Sequence, residues 1–195
     1  GEASMQQLTP LLLDWTVNGR LWDRMGNRDD VHAPHAVFPS DGDDEWVAIV
    51  VTSDTQWRAL CELIDAPELT ELDVDARRVN QDDLEKRIAS WTSERSCTET
   101  MATCQAAGIP SHRVQNTDHC LDDPQLAHRN HFIEVGHPTQ GTTTIENTRF
   151  VMSRTPAVVT YGGPTWGEHN WEILTEELGY DPERIAELAI AEVLG

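Results

Sequence analysis

Apolar positions along this chain recur at two different periods, and the change from one to the other divides it into elements. Leu8, Leu11, Leu12 and Trp15 recur at helical spacing and stop at Asn18-Gly19, where glycine suits a left-handed C-terminal cap. Residues 20–38 carry neither period and predict an extended loop containing Gly26-Asn27-Arg28 and Ala33-Pro34-His35. Asp41 to Asp44 predict a turn at Gly42 that leads into Trp46-Val47-Ala48-Ile49-Val50-Val51. That run is β-branched and nearly continuous, so it reads as a buried strand. Trp57, Leu60, Cys61 and Ile64 then predict a helix capped by Asp54, and Leu84, Ile88 and Trp91 predict a second opened by Asn80. A third, opened by Thr98, runs over Met101 to Ala107 and ends at Gly108 and Pro110.

The second half of the chain is broken into shorter pieces. His112 to Gln115 predicts a short strand, and Thr117 to Leu121 and Pro124 to His128 predict helical turns. Phe132 to Val135 and Thr142 to Glu146 predict strands about the turn at Gln140-Gly141. After Thr155-Pro156 the sequence is irregular up to Gly162-Gly163-Pro164, a linker by composition. Two helices are expected at the end, Glu168 to Leu178 and Pro182 to Leu194, with Asp181 capping Pro182 at the first helical position. No internal repeat is visible.

Composition narrows the classes of function. The 195 residues are 38% hydrophobic, enough for one or two modest cores. No apolar run approaches the roughly 18 residues that span a bilayer, and the first residues lack the basic and apolar regions of a signal peptide, so a cytoplasmic protein is expected. Fourteen Lys+Arg against 34 Asp+Glu give a net charge of −20, and Lys86 is the only lysine. Such a chain repels nucleic acid and anionic membranes, and its acidity fits adaptation to high salt. Cys61, Cys97, Cys104 and Cys120 have no paired short spacing, which predicts reduced, partly buried thiols. Two H-x-x-H pairs, His32/His35 and His128/His131, lack acidic or thiol partners at a metal-site spacing, so no metal is expected.

Five motifs stand in a characteristic order: Gly26-Asn27-Arg28, Gly42 with Trp46, Gly108-Ile109-Pro110, Asp123-Pro124-Gln125-Leu126 and Gly167-Glu168-His169. In that order they resemble the family III CoA-transferases of the CaiB/BaiF type. This group includes the formyl-CoA, carnitine and bile-acid CoA-transferases, and the α-methylacyl-CoA racemases are relatives. The resemblance implies an α/β fold: a small mixed α/β domain, with flanking helices that belong to a Rossmann-like large domain missing from this sequence. Residues 1–24 would be a helix and linker of that large domain, 25–135 the small domain, and 136–195 a return segment with C-terminal helices packing on the large domain. The start at Gly1-Glu2-Ala3-Ser4-Met5, directly ahead of a helical pattern, is expected to be internal to a longer gene product.

By the same resemblance, CoA moves between an acyl-CoA and a carboxylic acid through an aspartyl anhydride. The nucleophile is expected on the missing N-terminal half, because the aspartates here are clustered in polar runs and read as surface or caps. No catalytic residue is therefore assigned to this chain. Its loop 25–38 would instead wall the site, with Asn27, Arg28, His35, Gly42, Glu168 and His169 as candidate wall residues. A CoA thioester is expected as substrate and no bound cofactor is expected. The partner would be the missing half or a second copy in an interlocked dimer. Against the formyl-CoA:oxalate branch, the loop lacks a run of glycines. An acyl-CoA racemase and a non-catalytic assembly or regulatory subunit are the alternatives. Trp46, Trp57 and Trp91 are expected in cores, and Trp22 and Trp166 against the absent half.

Overall fold

A computed structural model describes residues 1–194 of the chain. They form two compact units, one from Gly1 to Val114 and a second beginning at Gln115, a division that falls within the 25–135 stretch.

The first unit is built on one antiparallel sheet. Its strands are β1 (His35–Pro39), β2 (Trp46–Val50) and β3 (Ser111–Arg113), with β2 in the middle. Phe38 stands opposite Val47, and Val47 opposite Arg113. The helices are α1 (Glu2–Gln7), α2 (Thr9–Asn18), α3 (Asp54–Leu63), α4 (Val74–Val79), α5 (Gln81–Thr92) and α6 (Cys97–Ala106). Phe38, Val47 and Ile49 from the sheet pack with Trp57, Leu60 and Cys61 of α3, Leu84 and Ile88 of α5 and Cys104 of α6 into one core. The Trp57 indole is wholly buried, and its Nε1 donates to the Leu69 carbonyl at 2.8 Å, so burying the ring leaves no unpaired donor. Arg77 of α4 is also buried; its guanidinium lies 5.3 Å from the Trp57 ring centroid and donates to Asp54 at 3.0 Å.

Several local expectations are corrected. His35 is not in a loop: it opens β1, which the polar and proline content around it concealed. β2 is buried on one face only. Val47 and Ile49 point inward while Trp46 is 39% exposed, because an antiparallel sheet with helices on one side leaves the other side to solvent. Trp46 is therefore not a core residue, and its Nε1 donates to Asp44 at 2.9 Å. The α3 cap is Ser53, whose hydroxyl accepts from the Gln56 amide, and the α6 cap is Ser96, whose hydroxyl accepts from Glu99. Asn80 precedes α5 without capping it; its side chain donates back to the Ala76 carbonyl. Helix α4 was not foreseen. Gly42 has φ 122°, and a Cβ there would lie 2.9 Å from Glu45 Cγ, so the β1–β2 turn needs glycine.

The second unit has α7 (Thr117–Leu121), α8 (Pro124–His128) and a hairpin of β4 (Phe132–His137) with β5 (Gly141–Glu146), where Val135 faces Thr143. Asp123 caps α8, accepting from Gln125 and Leu126, and Gln115 Nε2 donates to it at 2.6 Å. Gly162 lies on the hairpin: its amide donates to the Gly136 carbonyl at 2.9 Å, and a Cβ would come within 3.1 Å of that oxygen. The expected helix from Glu168 is shorter. It is α9 (Asn170–Glu172), which widens into a π turn over Ile173–Glu177, and α10 spans Pro182–Ile190 with Asp181 as its cap. Trp166 is 88% exposed. Among the described residues no helix is long and apolar enough to cross a membrane.

Candidate functional site

The loop between α2 and β1 is ordered by its own carboxylates. Asp29 Oδ1 accepts from the backbone amides of Val31 at 2.9 Å and His32 at 2.8 Å, which turns the chain toward β1. Those two amides hold the Asp29 carboxyl below its ordinary value. One turn earlier, the Arg28 amide donates to the Met25 carbonyl at 3.1 Å across Gly26, whose φ is 63°. At the loop's start, Trp22 Nε1 donates to Asp14 at 2.6 Å while Arg20 stacks over the Trp22 ring at 4.2 Å. Trp22 is thus held by its own unit.

Arg28 is committed to α5. Its Nε donates to Glu85 Oε1 at 2.8 Å, and its Nη2 donates to Glu85 Oε2 at 2.7 Å and Asp82 Oδ1 at 2.5 Å. These acceptors, Glu85 first, raise the guanidinium pKa still further above its usual value and depress that of Asp82. Arg28 is therefore a latch on the loop. Asn27 is an exposed residue, and its backbone carbonyl oxygen meets His35 Nδ1. A carbonyl only accepts, so Nδ1 carries the proton. The structure thus brings Asn27, Arg28 and His35 together, while Gly42 lies at the far end of the β1–β2 pair, beyond Pro39.

A cleft of about 580 Å³ opens beside this loop, lined among others by Arg20, Arg24, Arg28, Arg78 and Gln81. Sequence reasoning did not single out Arg24, Arg78, Asp82 or Glu85. The two acids that hold Arg28 lie 54 and 57 residues away in the chain, and no local pattern links them to it.

Glu168 and His169 lie in the second unit. Glu168 does not cap a helix: its Oε2 accepts from the Thr165 amide at 2.6 Å and hydroxyl at 3.1 Å, closing a turn, and the amide lowers its pKa. His169 precedes α9 without a side-chain cap bond. Both border a cleft of about 360 Å³ with Tyr161 and Glu172. A larger cleft in this unit, about 710 Å³, is lined by Cys120, Leu126, Arg129, Phe132 and Arg149 among others. Of the paired histidines, His32 and His35 are engaged in the loop, and His131 packs edge-on against Phe132 at 4.6 Å. Among the described residues no group of three or more His, Cys, Asp or Glu is gathered as a metal site.

The family model of CoA-transferase family III matches residues 2–170, and the chain belongs to that family. It is 29% identical over 196 residues to the succinyl-CoA–D-citramalate CoA-transferase of Chloroflexus aurantiacus, a match covering 98% of this chain and 48% of that protein. It is 30% identical over 170 residues to the succinyl-CoA:mesaconate CoA-transferase of Haloarcula marismortui, covering 86% and 42%. In fold it is similar to the crystal structure of a CaiB/BaiF family protein from Brucella suis, with a TM-score of 0.72 at 22% identity, covering 87% of this chain and 44% of that one. The chain thus spans about half the length of the relatives it matches.

Proposed function

We propose that this chain supplies the small-domain part of a CoA-transferase that moves CoA from succinyl-CoA to a second carboxylic acid. The observation that carries the reading is the family match over residues 2–170, which includes the Arg28-latched loop. The choice of succinyl-CoA and of a dicarboxylic acceptor follows the names of the two relatives above.

In this reading an aspartate outside residues 1–195 attacks the thioester carbonyl carbon. The C–S bond breaks, CoA leaves as thiolate, and an acyl-aspartyl anhydride forms. The thiolate then attacks the aspartyl carbon and expels the first acid, after which the acceptor carboxylate and CoA run the same exchanges in reverse. Five aspartates of this chain have other work. Asp29 binds backbone amides, Asp82 binds Arg28, Asp123 and Asp181 cap helices, and Asp54 binds Arg77. The loop 25–38, with Asn27 exposed beside His35, serves as site wall, and Arg28 keeps it in place. Leu8 and the exposed leucines of α2 pack on the nucleotide-binding half or on a second copy, and the assembly works in the cytoplasm.

The test measures CoA transfer from labelled succinyl-CoA to a panel of carboxylic acids, with the chain alone and with a polypeptide carrying the nucleotide-binding half. The chain alone is expected to be inert and the mixture active, with Asn27→Ala and His35→Ala lowering kcat about 10- to 1,000-fold. Turnover by the chain alone, abolished by changing one of its own aspartates, overturns the assignment.

A further inference from the structure

The cleft between the loop 20–30 and the start of α5 holds an unusual share of the chain's positive charge. Fourteen Lys+Arg with a single lysine leave thirteen arginines, and four of them, Arg20, Arg24, Arg28 and Arg78, line this one cleft of a molecule whose net charge is −20. Their counter-ions account for two of the four. Arg28 is bound by Glu85 and Asp82. Arg20 is shared between Asp30 at 3.4 Å and Asp14 at 3.7 Å and stacks on Trp22. Three acids share the lining: Asp29, with one carboxylate oxygen taken by two backbone amides, Asp30, paired with Arg20, and Asp75, beside Arg78.

Arg24 and Arg78 remain. Among the described residues the Arg24 guanidinium has neither an ion pair nor a hydrogen bond; only its backbone amide is engaged, with Asp23 at 2.7 Å. Arg78 meets Asp75 at 3.5 Å across one helical turn, and both side chains are exposed, an arrangement that contributes little and is readily exchanged. Gln81, the first residue of the twelve-residue helix α5, lines the same cleft. The residue is 8% exposed, and its side chain has no hydrogen-bond partner among the described residues. Its carboxamide offers a donor and an acceptor that no protein group among the described residues fills, and that a group in the cleft can meet.

We infer that Arg24, Arg78 and Gln81 form an oxyanion site that takes a carboxylate or phosphate group of a substrate. A guanidinium fork pairs with two oxygens of such a group at once, and a partner amide supplies a third donor. The α5 N-terminus adds a favourable partial charge, with its first-turn acids Asp82 and Asp83 already occupied by Arg28 and Lys86. The volume of about 580 Å³ admits a small dicarboxylic acid or part of a nucleotide. Two sources have this chemistry: the second carboxylate of a dicarboxylic acid, and the phosphates of CoA. Naming these sources rests on the CoA-transferase reading; the site itself rests on Arg24 and Gln81, whose side chains have no partner among the described residues, and on the loosely held Arg78.

Isothermal titration of the 195-residue chain at constant ionic strength tests this, using succinate, adenosine 3′,5′-bisphosphate, inorganic phosphate and neutral succinamide as probes. Saturable binding of at least one anion, none of succinamide, and weakening of about tenfold or more in both Arg24→Gln and Arg78→Gln are expected. Arg184→Gln, in the second unit, should bind as the parent does. Preference for succinate assigns the site to the acid, and preference for the bisphosphate assigns it to CoA. Among the described residues neither replaced arginine makes a strong contact, so unchanged circular dichroism and melting temperature accompany the loss. The proposal is overturned by anion binding equal in parent and variants, or by no saturable binding of any anion. If the arginine-dependent binding holds while the mixture above shows no CoA transfer, the oxyanion site stands and the transferase reading falls.

Discussion

Arg28 and Glu85 meet through two parallel hydrogen bonds, Nε to Oε1 at 2.8 Å and Nη2 to Oε2 at 2.7 Å, and so fasten the loop before β1 to the middle of α5. A forked, partly buried pair of this kind resists salt and thermal motion better than a single surface contact. Glu85→Gln keeps the shape but loses the charge and one acceptor. It should destabilise the first unit by about 1 kcal/mol, read as a lower urea midpoint with unchanged slope. A midpoint equal to the parent's would show that the latch is idle.

Acid should loosen the same loop. Asp29 is held below its ordinary value of 3.8 mainly by the amides of Val31 and His32. A carboxyl whose folded pKa is depressed contributes stability that is complete above its unfolded pKa and is lost as pH falls through the folded one. Stability should therefore decline below about pH 4. Asp29→Asn, which keeps one acceptor oxygen without the charge, should flatten part of that decline. Parallel pH profiles of melting temperature for parent and variant would count against this account.

The thiols should divide by burial. Desolvation pushes Cys61 and Cys104 up to about 11 and also raises Cys97, whereas Cys120 is partly exposed in the second unit. Since the thiolate is the reactive form, a chromogenic disulfide reagent at pH 8 should modify Cys120 rapidly in the native chain. The other three should react only after denaturant is added. Fast labelling of Cys61 or Cys104 without denaturant would mean that the core opens readily.

Ile88 is wholly buried against the sheet and α3, where its removal leaves space that cannot close fully. Ile88→Ala should cost about 2–4 kcal/mol, whereas Ile190→Ala, on the exposed end of α10, should be near neutral. Chemical denaturation of both variants separates the two cases.

Salt should favour association. Leu8, at the junction of α1 and α2, and Leu12, Leu13 and Trp15 of α2 are exposed, and Trp171, Ile173 and Leu178 are exposed near the C-terminus. Repulsion between chains of charge −20 is screened as the Debye length falls from about 10 Å at 0.1 M to about 3 Å at 1 M, while apolar burial persists. Sedimentation should show larger species at molar KCl than at low salt. A monomer at both would mean that these faces need no partner.

By itself the sequence determined the elements whose apolar residues repeat within a few positions. The run from Trp46 to Val51, the faces Trp57, Leu60, Cys61 of α3 and Leu84, Ile88 of α5, the turn at Gln140-Gly141 and the Asp181 cap are local patterns, set by the period of the backbone and the chemistry of one turn. Family membership was legible in the same way, as short motifs in order. Tertiary structure alone decided that His35 to Pro39 is a strand, because its pairing with β2 lies across a turn and its own residues are poor in β-formers. It also decided that Trp46 faces solvent, since which side of a sheet is covered depends on helices far along the chain. Arg28 was visible as a motif residue, but its commitment to Glu85 was not, because an ion pair between residues 57 positions apart exists only once the fold has closed the distance. For the same reason Arg24, which no carboxylate answers among the described residues, was indistinguishable in the sequence from any other surface arginine.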